Sequence, residues 1–315
     1  MSRIHEALKR AEQERAASQG GHVESTPVRD AGAIESMPDL APANGSSAAA
    51  AGTAPAPVPV KGQGMPSFAS SFTFDTLLAR CTHSQWSPDP KTMLFFNAEE
   101  NARGTEQFRT LRSRLYQMRE KISLKKILIT SALPKEGKSF VAANLAQVLV
   151  RQHGRRVLLI DGDLRVPRLN TVLGTTSAPG LGDYLLGETD EFSVMQRGAM
   201  ENLFFIPGGR SVAQPAELIA NGRLKLLMQR VEALFDWIIV DSPPAVPVSD
   251  ASQLANFCDG VLMVVRSNAT PYDTAQKARQ EFVGKTLVGV VLNGISKSDS
   301  YARYYYDVDE KTGQR

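Results

Sequence analysis

Nine residues, Ser131–Ser139 (SALPKEGKS), constrain what this chain can fold into more than any other stretch. From Ala132 they fit A-x-x-x-x-G-K-S, the phosphate-binding loop pattern with alanine where a glycine usually opens it. Upstream, Lys126–Thr130 (KILIT) is a β-branched run of the kind that forms a buried parallel strand. Downstream, Ser139–Gln152 is an apolar helix that Gly154 is placed to stop. Strand, tight loop and helix together give the motif its context. Gly137 lets backbone N–H groups close around phosphate oxygens, and the helix N-terminus adds partial positive charge. Lys138 can reach the β- and γ-phosphates, and the Ser139 hydroxyl can hold Mg²⁺. Ala132, Leu133, Pro134, Lys135, Glu136 and Phe140 complete the expected ATP-binding loop. The loop indicates a nucleotide and leaves the reaction open.

Bulk properties exclude several classes. A net charge of +3 over 315 residues is too weak to imply nucleic acid as a partner. The two cysteines, Cys81 and Cys258, lie far apart, so neither a disulfide framework nor a metal knuckle is expected, and a reducing cytoplasm fits. The four histidines are scattered and form no ligand cluster. No apolar run approaches the ~20 residues that a membrane span needs. Charges throughout residues 1–15 argue against a signal peptide, so a membrane role is expected only through a partner.

Composition divides the chain unevenly. Residues 1–15 have the spacing of a short helix, with Ile4, Leu8 and Ala11 on one face, which suits docking to another protein or a solvated end. Residues 16–66, rich in Ala, Pro, Gly and Ser, cannot bury enough surface to offset their ordering entropy and read as a disordered linker. As a coil of ~50 residues it would span roughly 40 Å. The remainder, 67–300, reads as one α/β domain. Its start, 67–101, is expected to be an extended lead-in. A helix over Glu106–Met118 carries a core stripe and a second row of Glu106, Arg109 and Arg112, spaced for a subunit contact or a solvated face.

Further strands are expected at Arg156–Ile160, Leu203–Ile206, Trp237–Val240, Gly260–Val265 and Leu287–Leu292. Helices are expected at Pro215–Ala220, Arg223–Phe235, Ser249–Phe257 and Thr270–Val283. Strands apolar on both sides and alternating with helices specify a doubly wound, mainly parallel α/β sheet of the P-loop NTPase type. Ligands of such sheets sit beyond the carboxyl ends of the strands, where Ser131, Asp161, Asp241, Arg266 and Asn293 fall. Asp241 is the expected second Mg²⁺ carboxylate, acting directly or through water. Asp161 and Asp163 are an extra acid pair that could divide metal binding and proton acceptance, with Arg165 near phosphate or a neighbouring subunit. Four of the seven tyrosines, Tyr301, Tyr304, Tyr305 and Tyr306, crowd a six-residue window of the tail 301–315, with Asp299, Asp307, Asp309 and Glu310 as acidic neighbours. They suit phosphate acceptors or an aromatic contact.

The set ALPKEGKS at Ala132–Ser139, LLIDGDLR at Leu158–Arg165, IIVDSPP at Ile238–Pro244, EQFRTLR at Glu106–Arg112 and the tyrosine cluster resembles the bacterial tyrosine kinases, the BY-kinases of capsule and exopolysaccharide synthesis. The resemblance covers roughly residues 86–306. It implies Mg-ATP-dependent autophosphorylation through Walker-type segments, and neither H-R-D nor D-F-G occurs here. It implies that Lys138, Asp161, Asp163 and Asp241 are catalytic, with Asp161 activating the tyrosine hydroxyl. Ser139, Asp163 and Asp241 would serve Mg²⁺, and Arg266 and Asn293 would join the ATP site. Glu106, Arg109 and Arg112 would form contacts in a ring-like homo-oligomer whose tyrosine tails are phosphorylated in trans. The implied partners are a separate membrane polysaccharide co-polymerase or activator, which would hold the protein at the inner face of the cell membrane, and a cognate tyrosine phosphatase. The alternative is a partitioning or division-site ATPase switch. Those proteins usually carry a second lysine where this chain has Leu133.

Overall fold

The computed structural model describes residues 72–90, 92–96 and 104–295. The expectations for 1–15, for the linker 16–66 and for the tyrosines of 301–315 lie outside these residues. In chain order the described elements begin with helix α1 (Phe74–Arg80), strand β1 (Thr82–His83), α2 (Thr105–Arg119), β2 (Lys126–Ser131), α3 (Lys138–Val150) and β3 (Val157–Asp161). There follow α4 (Leu169–Leu173), α5 (Leu181–Leu186), β4 (Gln196–Arg197), β5 (Leu203–Ile206), α6 (Pro215–Ala220), α7 (Arg223–Glu232) and β6 (Trp237–Asp241). The last are α8 (Asp250–Leu254, continued by a 3₁₀ turn), β7 (Gly260–Arg266), α9 (Tyr272–Gln280) and β8 (Leu287–Asn293).

The strands form one sheet in the order β1-β4-β5-β3-β6-β2-β7-β8, parallel throughout except where β4 meets β5. Period-two alternation sorts the strand residues between two cores. Leu128, Leu158, Ile160, Ile238 and Val240 join one, under α1 and α5 to α9. Ile127, Ile129, Leu159, Trp237 and Ile239 join the other, under α2, α3 and α4. Both faces are therefore covered, as expected of buried parallel strands.

Helix α3 is the central element of the second face. All ten residues from Val141 to Val150 are buried, because α2 lies over the side turned away from the sheet. A helix apolar all round is stable only in such a position. Its two buried amides make the segment before α2 part of the domain. Asn144 accepts from Leu94 N–H (2.9 Å) and donates to the Thr92 and Phe140 carbonyls (2.8 and 2.9 Å). Tyr116 of α2 accepts from the Trp237 indole (3.1 Å), linking that helix to the middle of the sheet.

The structure departs from sequence expectation in particular places. The lead-in is not wholly extended: Thr73 caps α1, whose Leu77 is fully buried, and β1 follows. Helix α7 stops at Glu232, short of Phe235, and α9 covers less than Thr270–Val283. Cys81 and Cys258 are both free thiols. No described helix is long and apolar enough to cross a membrane.

Asn144→Ala leaves the Leu94 N–H and the Thr92 carbonyl without their amide partner at a site where Asn144 itself has no exposed surface. The expected loss is about 2–4 kcal/mol, read by urea denaturation, with earlier proteolysis within 92–96. An unchanged midpoint would show that water replaces the amide at no cost.

Candidate active site

Strands β2, β3 and β6 end side by side, and their terminal residues build the site. The loop between β2 and α3 turns through two left-handed residues, Lys135 (φ 66°) and Gly137 (φ 95°). A Cβ on Gly137 would fall 2.1 Å from Asn293 Nδ2, so glycine is required there by backbone conformation and by space. The first hydrogen bond of α3 runs from Val141 N–H to Gly137 O (2.9 Å). The amides of Lys138, Ser139 and Phe140 thus have no acceptor within the helix and face the loop's hollow with the positive end of the helix dipole.

The loop is braced from behind. Glu136 is buried and turns inward, accepting from Leu133 N–H (2.7 Å) and from the Thr270 hydroxyl. Arg266 donates to Lys135 O (3.0 Å), and Asn293 donates to Glu136 O (2.9 Å). Arg266 and Asn293 therefore stand at the loop's backbone, where they hold its shape. Phe140 packs its ring on Phe108, leaving only its backbone toward the hollow.

In front of the loop sits a compact charge cluster. Lys138 Nζ is 3.1 Å from Asp163 Oδ2 and 3.9 Å from Asp241 Oδ2. The Ser139 hydroxyl donates to Asp241 Oδ2 at 2.5 Å. Asp161 Oδ1 accepts from Asp163 N–H (3.2 Å), while its Oδ2 accepts from Arg168 and Leu169 N–H (3.0 and 2.9 Å), capping α4. Gly162 makes this proximity possible, since a Cβ there would meet the Asp241 carbonyl at 2.6 Å. One lysine thus faces three buried carboxyls. Burial, reinforced by the Asp241 charge, pushes Asp161 up to about 7. Burial likewise raises Asp241 to about 6, against the pull of Lys138. Burial pulls Lys138 down, but Asp241 and Asp163 outweigh it and the amine is raised above its ordinary value.

The fit to Mg²⁺ rests on Asp241. Its Oδ1 is buried and, among the described residues, has no hydrogen-bond partner, while its other oxygen meets the Ser139 hydroxyl. A hard cation or its bound water suits that orphaned oxygen. Among the described residues no three acidic, histidine or cysteine groups form a ready-made metal cage. Magnesium commonly takes only one or two protein ligands and completes its shell with water and phosphate.

The other sequence candidates lie elsewhere. Arg109 pairs with Glu106 along α2, and Arg112 donates to Val148 O (3.0 Å) at the end of α3. Arg165 is turned from phosphate by a two-pronged ion pair with buried Asp250 (2.7 and 3.0 Å). Sequence reading missed that pair, along with the inward role of Glu136 and its partner Thr270. Spacing carries no signal for contacts between loops 85 and 134 residues apart.

Comparison with known proteins falls on this same region. Residues 125–277 match the family described as an AAA domain, AAA_31. The chain is 35% identical over 210 residues to the tyrosine-protein kinase YwqD of Bacillus subtilis, covering 65% of this chain and 88% of that one. It is 31% identical over 214 residues to the tyrosine-protein kinase wzc of Salmonella typhimurium, covering 65% of this chain but only 30% of that longer protein. The solved kinase domain of the Escherichia coli tyrosine kinase ETK superposes with a TM-score of 0.59 at 31% identity, over 62% of this chain and 78% of that one.

Two outcomes are expected. Gly137→Ala strains the loop by about 1–3 kcal/mol and displaces Asn293, so titration with a fluorescent ATP analogue should show roughly tenfold or greater loss of affinity. Unchanged affinity would mean the loop re-forms around the methyl. The second concerns pH. Asp161 and Asp241 hold protons more tightly folded than unfolded, so the unfolded chain ionises first as pH rises from about 4. The metal-free, nucleotide-free fold then loses stability until about pH 7. Melting curves from pH 5 to 8 should decline less steeply for Asp241→Asn, and parallel curves would remove Asp241 from the cluster's titration.

Proposed function

The chain belongs to the bacterial tyrosine-protein kinases, and from that premise we propose that it transfers the γ-phosphate of Mg-ATP to Tyr301, Tyr304, Tyr305 and Tyr306 of a neighbouring copy. The observation that carries this reading is the acid pair Asp161 and Asp163 set against Lys138 and the partnerless oxygen of Asp241. A phosphate loop that only switched would need no second acidic strand end, so the rival ATPase-switch reading has less to support it. As a P-loop tyrosine kinase, the protein binds nucleotide.

The amides at the start of α3 receive phosphate oxygens, and Lys138 leaves Asp163 for the β- and γ-phosphates. Ser139, Asp163 and Asp241 would hold Mg²⁺, which when bound offsets charge on the phosphates. The tyrosine oxygen attacks phosphorus as the bond to the ADP oxygen breaks, and the hydroxyl proton passes to Asp161. A carboxyl raised to about 7 is matched to taking a proton near neutrality. Asp161 has no exposed surface, so the loop bearing Asp163 must lift once phosphate claims Lys138. Parting that ion pair is the local event by which nucleotide would admit the acceptor.

Regulation follows from charge. Four phosphotyrosines add roughly −6 to −8 charges, enough to reverse the chain's +3 and drive neighbouring tails apart. We place Glu106, Arg109 and Arg112 at the contact between copies. Residues 1–15 are assigned to docking on a membrane activator of capsule or exopolysaccharide assembly, and removal of the phosphates to a tyrosine phosphatase. The chain spans about 30% of the length of longer relatives such as wzc.

The test is a mixture. Lys138→Ala with an intact tail is incubated with Mg-ATP and an active copy whose four tail tyrosines are phenylalanine. Mass spectrometry should find phosphate on the Lys138→Ala tail and none when that variant is alone. A tail left unmodified by active protein, with activating partner supplied, would overturn the autokinase reading. A wild-type sample that labels its own tail, beside a mixture in which the Lys138→Ala tail stays unlabelled, would overturn transfer in trans.

A further inference from the structure

Three loops leaving the carboxyl ends of β5, β3 and β6 are knitted together beside the acid pair. Arg165 is clamped to Asp250 at the start of α8. Ser211 Oγ donates to Arg165 O (2.8 Å), and Val212 N–H donates to Leu164 O (3.0 Å). A Cβ on Gly208 would fall 2.6 Å from Pro167 Cβ, so the loops after β5 and β3 are in contact. The phosphate loop, after β2, lies on the other side of β6 in the sheet. An acceptor that meets Asp161 and Asp163 while nucleotide fills the phosphate loop must cross this three-loop shelf.

The shelf presents an unusual mixture. Val166 is a large apolar side chain left 51% exposed, whereas Val246, 40% exposed, donates its N–H to Ala132 O on the phosphate-loop side. Of its arginines, Arg165 is neutralised by Asp250, and Arg210 by Asp183 and Glu188. Arg168 is exposed, and among the described residues its guanidinium has no ion-pair partner. Its backbone is fixed, because its own N–H binds Asp161 Oδ2 (3.0 Å). The residue that carries this exposed cation is thus tied through its backbone to the proposed proton acceptor, two positions from the exposed Val166.

We propose that Arg168 is a specificity-determining residue that selects tyrosines followed by acidic residues, pairing with a carboxylate while Val166 receives the ring. The acceptor chemistry is that of this chain's own tail. Residues 299–310 hold four acids (Asp299, Asp307, Asp309 and Glu310) against one base, Arg303, and three of the acids follow Tyr306. Charge complementarity of this kind sets which partner is accepted more than how tightly it is held. The assignment rests on the tail-phosphorylation reading above and adds to it the group that reads the tail.

The experiment uses the full chain with its four tail tyrosines replaced by phenylalanine, and a peptide of residues 298–312 as acceptor. A second peptide carries Asp307→Asn, Asp309→Asn and Glu310→Gln. Arg168→Ala should raise KM for the acidic peptide roughly twofold to fivefold, the range that one exposed ion pair supports. Its kcat should hold and its KM for the neutral peptide should not move. Arg168→Lys should restore selection, and ~0.5 M salt should erase it. Equal KM changes on both peptides, no change, or a fall in kcat instead of a rise in KM would overturn the proposal, the last by showing that Arg168 acts through Asp161. Failure of the parent enzyme to label either peptide would sink the tail reading, and this proposal with it.

Discussion

Three carboxyls and one lysine buried at the ends of adjacent strands leave this fold with uncompensated negative charge at its centre. Lys138 answers part of it by pairing with Asp163 and standing near Asp241. The rest is met by hydrogen bonds from Ser139 and from the backbone of Asp163, Arg168 and Leu169. Buried charge without full pairing is destabilising, and a raised proton affinity at Asp161 and Asp241 is how the nucleotide-free chain relieves it. A cation together with phosphate would complete the cluster on both sides, supplying positive charge to the acids and a new partner to the lysine. Nucleotide binding and fold stability are therefore coupled through the same few atoms.

Rigidity around that cluster comes from residues that do not face it. Glu136 points inward, and Arg266, Thr270 and Asn293 reach the loop from β7, its following turn and β8. These contacts hold carbonyls and a carboxylate on the back of the loop, so its amides remain free to point forward. The arrangement explains why two strands beyond β2 matter to a site they do not line. It also makes the left-handed Lys135 and Gly137 tolerable, since surrounding structure over-determines them.

Much of this was legible in the chain, and the limits have physical causes. Strands with two buried faces announce themselves as unbroken apolar runs, so β2, β3, β6 and β7 could be placed to within a residue, and β8 could be placed from an apolar run although it is a half-exposed edge strand. The phosphate loop and the three strand-end acids were legible because backbone approach requires glycine and charge requires specific side chains. Helix α1 was not, because a seven-residue helix shows too few turns for periodicity, and its one fully buried residue, Leu77, leaves no stripe. The two-residue strands β1 and β4 have no pattern at all and depend on tertiary contact. Arg112 illustrates a contact that spacing cannot signal. Its guanidinium donates to a carbonyl at the end of α3, a partner 36 residues away.

Sheet order finally separates two tasks that sequence order runs together. The acid pair follows the phosphate loop by one helix in the chain, yet β6 intervenes between β2 and β3 in space. Asp241 therefore stands between the lysine side and the Asp161 side and faces both. That placement gives phosphate and acceptor separate approaches to Asp241, whose Oδ1 has no partner among the described residues. A chain built this way can close its loop fully around nucleotide and still offer the neighbouring strand ends to a second polypeptide. The proposed transfer between copies would then need no hinge in the sheet, only the parting of Lys138 from Asp163.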